Sequence, residues 1–158
     1  MTIRLEHIHK SHNVNLLLYH LVCPVKYRRK VFTYEEIDER IKTICVEEIQ
    51  TRPFEITFHE IWVDLDHVHF LFQSVPMKSP QETIRTIKSI TAKEIFKTHG
   101  EIIKKYLWKR ELWSDGYYIS TVWLHGNVDT IGRYIKNQWR EKEYKKLYVS
   151  EFQMQLWI

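Results

Sequence analysis

The feature that most constrains the fold is a pair of strand-like segments separated by only three residues. Residues 54–63 alternate, with Phe54, Ile56, Phe58 and Trp62 on one side and polar residues on the other, as in a half-buried strand. Residues 67–75 are apolar enough for a central strand. The intervening Asp64-Leu65-Asp66 is typical of a turn, so the two segments predict a β-hairpin.

A helical pattern flanks this hairpin on each side. The first begins with the T-x-x-E capping pattern of residues 33–36, followed at helical spacing by Ile37, Ile41, Ile44, Cys45 and Ile49. We expect this amphipathic helix to end near Arg52-Pro53, since proline blocks its continuation. The second begins with the capping box and proline of residues 79–82 and runs toward Gly100, a suitable residue to follow a helix C-terminus.

Three further segments complete the order of elements. Residues 15–22 predict a buried strand, residues 117–122 a fourth strand, and residues 128 to about 147 a last helix capped by Asn127. The first six elements have the order β-α-β-β-α-β, which is typical of the ferredoxin-like α+β fold: an antiparallel sheet with two helices on one face. We expect a single domain over residues 1–158, with a core of about 12–125 and a tail at 148–158.

Composition excludes several classes of protein. The 158 residues include 24 Lys and Arg against 20 Asp and Glu, and 44% are apolar, which favours a globular fold over a disordered basic chain. No stretch approaches the roughly 20 apolar residues needed to cross a bilayer, and the polar N-terminus does not resemble a secretory signal. The two cysteines form no C-x-x-C motif, so we expect a protein of the reducing cytoplasm.

His67 and His69 are the first candidates for chemistry. In a strand, residues at i and i+2 project from the same face, so the two imidazoles can converge on one divalent cation. Asp64 and Asp66 precede them, and Asp66 can orient a ligating histidine as a hydrogen-bond acceptor. The spacing alone also fits two hydrogen-bonded core histidines, and His7-Ile8-His9 has the same spacing.

Tyr134 and Gln138 stand at i and i+4 in the last predicted helix and therefore share a face beside its apolar stripe. By pattern alone they also fit an ordinary tyrosine at the edge of a core and a solvated glutamine. A basic cluster follows the first predicted strand: Lys26, Tyr27, Arg28, Arg29 and Lys30. It can grip phosphates, with the tyrosine stacking on a base, or it can be a solvated loop.

Four segments together resemble one family. They are C-P-V-K-Y-R-R-K-V (residues 23–31), D-H-V-H (66–69), Y-Y-I-S-T-V (117–122) and Y-I-K-N-Q (134–138), and they occur in family order. The chain resembles the small insertion-sequence transposases of the HUH superfamily, which use a single catalytic tyrosine. The REP-associated tyrosine transposases are close relatives of that group.

The resemblance implies a role for each matching residue. His67 and His69 would hold a divalent metal, Mg²⁺ or Mn²⁺, with Gln138 as third ligand, and Tyr134 would be the nucleophile. Lys26, Tyr27, Arg28, Arg29 and Lys30 would contact DNA. Such enzymes cut single-stranded DNA beside a subterminal hairpin, and they are typically homodimers in which one subunit's tyrosine helix can complete the other's site. A prokaryotic cytoplasmic, nucleoid-associated location follows.

Two other classes of function remain open. A ferredoxin-like sheet with aromatic residues on its open face can bind single-stranded nucleic acid without catalysis, and such a module would bind equally in EDTA. A metal-dependent hydrolase of small phosphoesters would release its product without a protein–DNA intermediate. The Tyr134 and Gln138 pair is superfluous to both, which favours the transposase.

Overall fold

The computed structural model describes residues 5–122. Within them, residues 7–121 form one compact unit, to which the description below refers; residues 1–6 and 122–158 are grouped separately. The predicted last helix at 128–147, the tail at 148–158, and the candidates Tyr134 and Gln138 lie outside the described residues.

The described unit is built on a four-stranded antiparallel sheet. A short ladder of β1 (Ile8–His9) and β2 (Val14–Asn15) precedes it along the chain. The sheet consists of β3 (Leu17–Pro24), β4 (Thr57–Val63), β5 (His67–Ser74) and β6 (Tyr118–Thr121), in the spatial order β4-β5-β3-β6. This order confirms the ferredoxin-like fold, with the predicted hairpin present as β4 and β5.

Two helices supply the other half of the core. Helix α1 (Glu35–Thr43) continues as a wider π-helical segment, Ile44–Ile49, and α2 spans Pro80–Ile103. Their isoleucines pack with Leu21, Phe70 and Phe72 from one face of the sheet in a single apolar cluster. Because side chains alternate along a strand, His67 and His69 of β5 project from the face opposite to that of Phe70 and Phe72.

Only one of the two predicted capping boxes forms. At α2, the Glu82 backbone N–H donates to Ser79 Oγ (3.1 Å) and the Ser79 N–H donates to Glu82 Oε2 (2.9 Å), as predicted. At α1 the prediction is wrong: Tyr34 is the N-cap residue and makes no side-chain capping bond. Thr33 belongs instead to a short 3-10 turn, where its hydroxyl donates to the Lys30 carbonyl at 2.7 Å.

The predicted end of the second helix is also wrong. Gly100 lies within α2, which continues to Ile103 across an irregular residue, His99 (φ −126°, ψ 23°). The fully buried Ile103 side chain explains the extension, because packing of the last turn outweighs the low helix propensity of glycine.

A bulge changes which β4 side chains share a face. The register between β4 and β5 shifts between Phe58 and Glu60, so Phe58 pairs with Phe72 while Trp62 pairs with His69. Trp62 therefore lies on the histidine face rather than on the same side as Phe58, as strict alternation predicted. Simple period-two patterning cannot detect an inserted residue of this kind.

A search of the helices within residues 5–122 finds none that is both long and apolar enough to cross a membrane.

Candidate active site

The site is centred on two histidines of the central strand β5, all of whose residues are buried. In the ladder with β3, His69 pairs with Val22 and His67 pairs with Pro24. The two imidazoles lie on one face, as predicted, with ring centroids 5.0 Å apart and planes inclined by 64°. The side chains of His67 and His69 are 1% and 2% exposed, so their polar atoms must find partners inside the protein.

His67 is held by a carboxylate that is itself held by an arginine. Its Nδ1 lies 2.7 Å from Asp66 Oδ1, and Arg28 Nε donates to Asp66 Oδ2 at 3.2 Å. Burial raises the pKa of Asp66, but the hydrogen bond to His67 and the charge of Arg28 outweigh burial and leave the pKa below its usual value. Because an ionised carboxylate only accepts, Nδ1 carries the proton and Nε2 carries the lone pair that a metal would need.

The second carboxylate of the turn stands near the Nε2 atom of His67. Asp64 Oδ2 lies 3.7 Å from His67 Nε2, beyond hydrogen-bond distance. The Asp64 side chain is 41% exposed and its other oxygen accepts from the Leu65 N–H at 2.7 Å. Asp64 therefore serves the turn first, as its position between two strands predicted, and adds negative charge beside the Nε2 atom of His67.

His69 is held by a histidine that sequence reasoning did not single out. His20 Nε2, on β3, lies 2.9 Å from His69 Nδ1, and the two rings stack with centroids 5.1 Å apart. Burial lowers the pKa of His20 to about 4. Burial, followed by the charges of His20 and His67, lowers the pKa of His69 to about 2, so both rings are neutral at pH 7. When His69 Nδ1 donates to His20, the lone pair of His69 resides on Nε2, the tautomer that a metal requires.

The histidine pair fits part of a metal site. Imidazole nitrogens suit a divalent transition-metal ion such as Mn²⁺. Among residues 5–122, no three His, Cys, Asp or Glu side chains are grouped closely enough to hold a metal by themselves. The resemblance implies Gln138 as the third ligand, and that residue lies outside the described residues.

The basic segment contains two residues that bind carboxylates of the protein and three residues that are exposed to solvent. Lys26 is an anchor: its Nζ lies 3.0 Å from Glu111 and 3.7 Å from Asp115, and the hydrogen bond to Glu111 is the main reason its pKa is raised. Arg28 is the second anchor, through Asp66. Tyr27, Arg29 and Lys30 are exposed.

The backbone of this segment is fixed to both neighbouring parts of the chain. The Val25 N–H donates to the Asp66 carbonyl (2.8 Å) and the Lys26 N–H donates to the Leu112 carbonyl (2.9 Å). Tyr27 and Arg28 adopt left-handed backbone conformations, with φ of 56° and 53°. Such φ values are unfavourable for residues other than glycine and persist where surrounding contacts impose them, often at functional sites.

Comparisons with known proteins identify related chains. A family model described as "Transposase IS200 like" matches residues 13–138. The chain is 30% identical over 122 residues to the ISDra2 transposase TnpA of Deinococcus radiodurans, covering 77% of this chain and 84% of that relative. It is 31% identical over 123 residues to the transposase for insertion sequence element IS200 of Salmonella typhimurium, covering 78% of this chain and 77% of that relative.

The fold has a similar match. A crystal structure of a candidate transposase from Deinococcus radiodurans superposes with a TM-score of 0.60 at 25% identity, covering 83% of this chain and 97% of that one.

Proposed function

The chain belongs to the IS200-like transposase family, and from this premise we propose that it cuts and rejoins single-stranded DNA beside a small hairpin at the ends of a mobile element. Tyr134 is the nucleophile, and it holds the cut strand covalently between the two steps. The observation that carries the proposal is the buried pair of imidazoles on one face of β5, each engaged at Nδ1. A binding module for nucleic acid has no need of two desolvated histidines oriented in this way.

We assign a divalent cation, Mg²⁺ or Mn²⁺, to His67 and His69, with Gln138 as the third ligand. Nitrogen and oxygen donors together suit Mn²⁺, whereas the harder Mg²⁺ keeps waters and prefers phosphate oxygens. When bound, the cation would polarise the scissile phosphate and stabilise negative charge on the leaving oxygen.

The proposed reaction exchanges one phosphodiester for another. The Tyr134 phenol loses its proton, its oxygen bonds to a backbone phosphorus, and the bond from that phosphorus to the 3′ oxygen breaks. The departing oxygen takes up a proton, which leaves a free 3′-hydroxyl and a 5′-phosphotyrosine. Because the bond is exchanged rather than hydrolysed, a later 3′-hydroxyl can displace the tyrosine and reseal the strand without ATP.

The described residues prepare the site for this step. Asp66 keeps the proton of His67 on Nδ1, and Arg28 keeps Asp66 ionised and in place. His20 performs the equivalent task for His69. A phenol titrates near pH 10, so Tyr134 needs assistance to react at neutral pH. A cation held by fixed ligands at the place where the phosphate binds would supply that assistance.

The DNA strand is proposed to run over the basic segment. Tyr27, Arg29 and Lys30 are its exposed members and offer one ring and two cations to bases and phosphates. Lys26 and Arg28 contribute by fixing the segment, since both are engaged with carboxylates. By resemblance to the family, we also propose a homodimer in which one subunit's tyrosine can complete the other's site, acting at the prokaryotic nucleoid.

The nucleophile is tested with a labelled hairpin oligonucleotide and Mn²⁺. Wild-type protein should form a complex that survives SDS, because the link is covalent. Tyr134→Phe should bind the hairpin with unchanged affinity and form no such complex, while the matched control Tyr144→Phe should behave as wild type. An SDS-resistant complex with Tyr134→Phe would show that another group attacks the phosphate.

The metal ligands are tested with His67→Ala in the same assay. Metal-dependent cleavage should be lost with little change in DNA affinity, since the basic segment is intact. Unaltered cleavage by this variant would remove His67 from the site. A non-catalytic binding module would instead retain salt-sensitive affinity in EDTA and form no adduct in any condition.

A further inference from the structure

A cavity of about 310 Å³ opens beside the basic segment. It brings Tyr27 and Arg29, which are proposed above to contact DNA, together with Trp108 and Lys109, to which the proposed function gives no role. One wall is formed by Lys26, Tyr27 and Arg29, and the other by residues 106–109 together with Glu111, in the chain that follows α2. Its volume is at the small end of the range for ligand pockets, which is about 300–1,000 Å³. It is therefore suited to a single ring system rather than to an extended molecule.

Two large aromatic side chains of this cavity face water. Trp108 is 93% exposed and Tyr27 is 71% exposed, whereas Tyr106 is half-buried. Exposure of a whole indole beside a phenol leaves apolar surface hydrated, and clusters of this kind commonly mark binding sites. The aromatic faces determine the shape of ligand they suit, because a flat ring stacks on them with the largest contact area.

The rim of the cavity is positively charged. Three basic side chains line it: Lys26, Arg29 and Lys109. The one acidic side chain, Glu111, forms an ion pair with Lys26 at 3.0 Å. Arg29 and Lys109 are exposed, and neither forms an ion pair with another residue in the 5–122 range. A flat aromatic ligand with adjoining negative charges complements this surface, and a nucleobase between two phosphates has that chemistry.

The two walls are held together before any ligand binds. The Lys26 N–H donates to the Leu112 carbonyl (2.9 Å) and the Ser114 N–H donates to the Pro24 carbonyl (2.9 Å), so the strand end and the segment after α2 run side by side. The left-handed backbone of Tyr27 fixes the direction of its Cα–Cβ bond. The backbone around the cavity therefore loses little conformational entropy when a ligand enters.

We propose that this cavity, here the Trp108 site, binds one unpaired base of the single DNA strand, stacked against Trp108 and Tyr27, with the flanking phosphates on Arg29 and Lys109. The site reads the strand by stacking and is separate from the metal ligands. Arg28, the neighbour of Tyr27, is bonded to Asp66, so a base seated here rests against the segment that orients His67. The proposal rests on the proposed function, since it assumes a single-stranded DNA substrate.

The test is an abasic scan of a hairpin oligonucleotide with a single-stranded flank, in which one base at a time is removed and the sugar-phosphate chain is kept. For wild-type protein, removal of one particular base should weaken binding about 5- to 100-fold, the range for stacking on an aromatic residue. Trp108→Ala should bind the intact DNA more weakly by a similar factor and should lose the penalty at that position. Trp108→Phe should retain most of the penalty, because a ring remains.

The controls separate this site from the proposed function. Met77→Ala, a substitution at a side chain that is 89% exposed and does not line the cavity, should leave the scan unchanged. Trp108→Ala should still form the covalent adduct at saturating DNA.

The site would be overturned if removal of that base weakened binding as much in Trp108→Ala as in the wild-type protein. The site would also be overturned if Trp108→Ala bound DNA with unchanged affinity while its dimer dissociated in sedimentation. That result would assign the surface to a second copy of the chain. Failure of the wild-type protein to bind or cleave any hairpin would refute the proposed function itself.

Discussion

The two histidines of β5 are held at Nδ1 by partners of different chemistry. His67 faces a carboxylate, which is fixed by a cation, whereas His69 faces a neutral ring. A carboxylate partner makes an imidazole more basic and a stronger ligand than a neutral partner does. We therefore expect His67 to contribute more to metal affinity, and Asp66 to matter through its charge.

Asp66→Asn tests that charge. The amide keeps the shape of the side chain but removes the negative charge, so Mn²⁺ affinity measured by calorimetry should fall about 10- to 100-fold, as for other partners of metal ligands. Glu101→Gln, at an exposed carboxylate near the end of α2, is the matched control and should leave the affinity unchanged. Equal affinities for wild type and Asp66→Asn would mean that Asp66 serves only the turn.

His20 shows what sequence reasoning missed at the scale of one residue. The sequence places His20 inside an apolar strand. Because a buried imidazole needs a hydrogen-bond partner, this position is the one sequence feature that indicates a polar contact there. Its contact with His69 depends on the β3–β5 register, in which Val22 faces His69 and His20 stands two residues further along. A single sequence does not specify register across 49 residues, so only Asp66, the immediate neighbour of His67, was predicted as an orienting group.

His20→Gln should partly preserve the site, and His20→Ala should not. The glutamine amide can still bond to His69 Nδ1, so Mn²⁺ affinity should fall less than for alanine, which leaves that nitrogen without its described partner. Circular dichroism and calorimetry on both variants separate loss of fold from loss of ligand orientation. If alanine and glutamine reduce the affinity equally while both remain folded, the hydrogen bond to His20 has no role in metal binding.

At the scale of elements, local sequence patterns predicted the presence of the two helices correctly but not all of their first and last residues. The box at Ser79 formed because proline and two reciprocal hydrogen bonds favour the same start. The similar pattern at Thr33 did not, because residues 31–33 are drawn into a turn whose Val31 and Phe32 side chains are buried, and the Phe32 N–H donates to the Leu65 carbonyl at 3.1 Å. Tertiary packing outweighed a cap of about 1 kcal/mol.

Ser79→Ala should therefore destabilise the protein, by about 1 kcal/mol in the free energy of unfolding measured with urea, because it removes the acceptor of the Glu82 N–H. Ser89→Ala, in the exposed middle of the same helix, is the control and should be neutral or slightly stabilising, since alanine is the better helix former. If the two variants lose equal stability, the cap at Ser79 is not a specific contribution.

At the scale of the whole molecule, the order of strands was predictable and the completed site was not. Strand and helix patterns in the order β-α-β-β-α-β leave few compact arrangements, and the sheet adopts the ferredoxin-like one. The site joins residues from β3, β5 and the basic segment, whose relative placement depends on register and on the two left-handed residues Tyr27 and Arg28. Neither feature has a local signature in residues of these types.

Burial of two neutral histidines makes the stability of the whole fold depend on pH. In the unfolded chain both groups have a pKa near 6.5, whereas in the folded protein the pKa of His20 is about 4 and that of His69 about 2. Between pH 6.5 and about 4 the unfolded state binds protons that the folded state does not, so stability falls as pH falls, by at most about 1.4 kcal/mol per pH unit for each histidine.

Urea unfolding in EDTA at pH 7.5, 6 and 5 measures this effect. The free energy of unfolding should decrease by a few kcal/mol at pH 5, and His20→Gln should show a smaller decrease because one of the two groups is gone. A decrease of the same size in the variant would assign the pH dependence to other residues.

The most direct test of the central claim is to identify the residue that carries DNA after cleavage. The protein is incubated with a hairpin oligonucleotide and Mn²⁺, digested with nuclease and protease, and the peptides are sequenced by mass spectrometry. The account predicts a 5′-phosphonucleotide on the oxygen of Tyr134, present with wild-type protein and absent in EDTA and with His67→Ala. Modification of a different residue, or an adduct on Tyr134 that forms equally in EDTA, would contradict it.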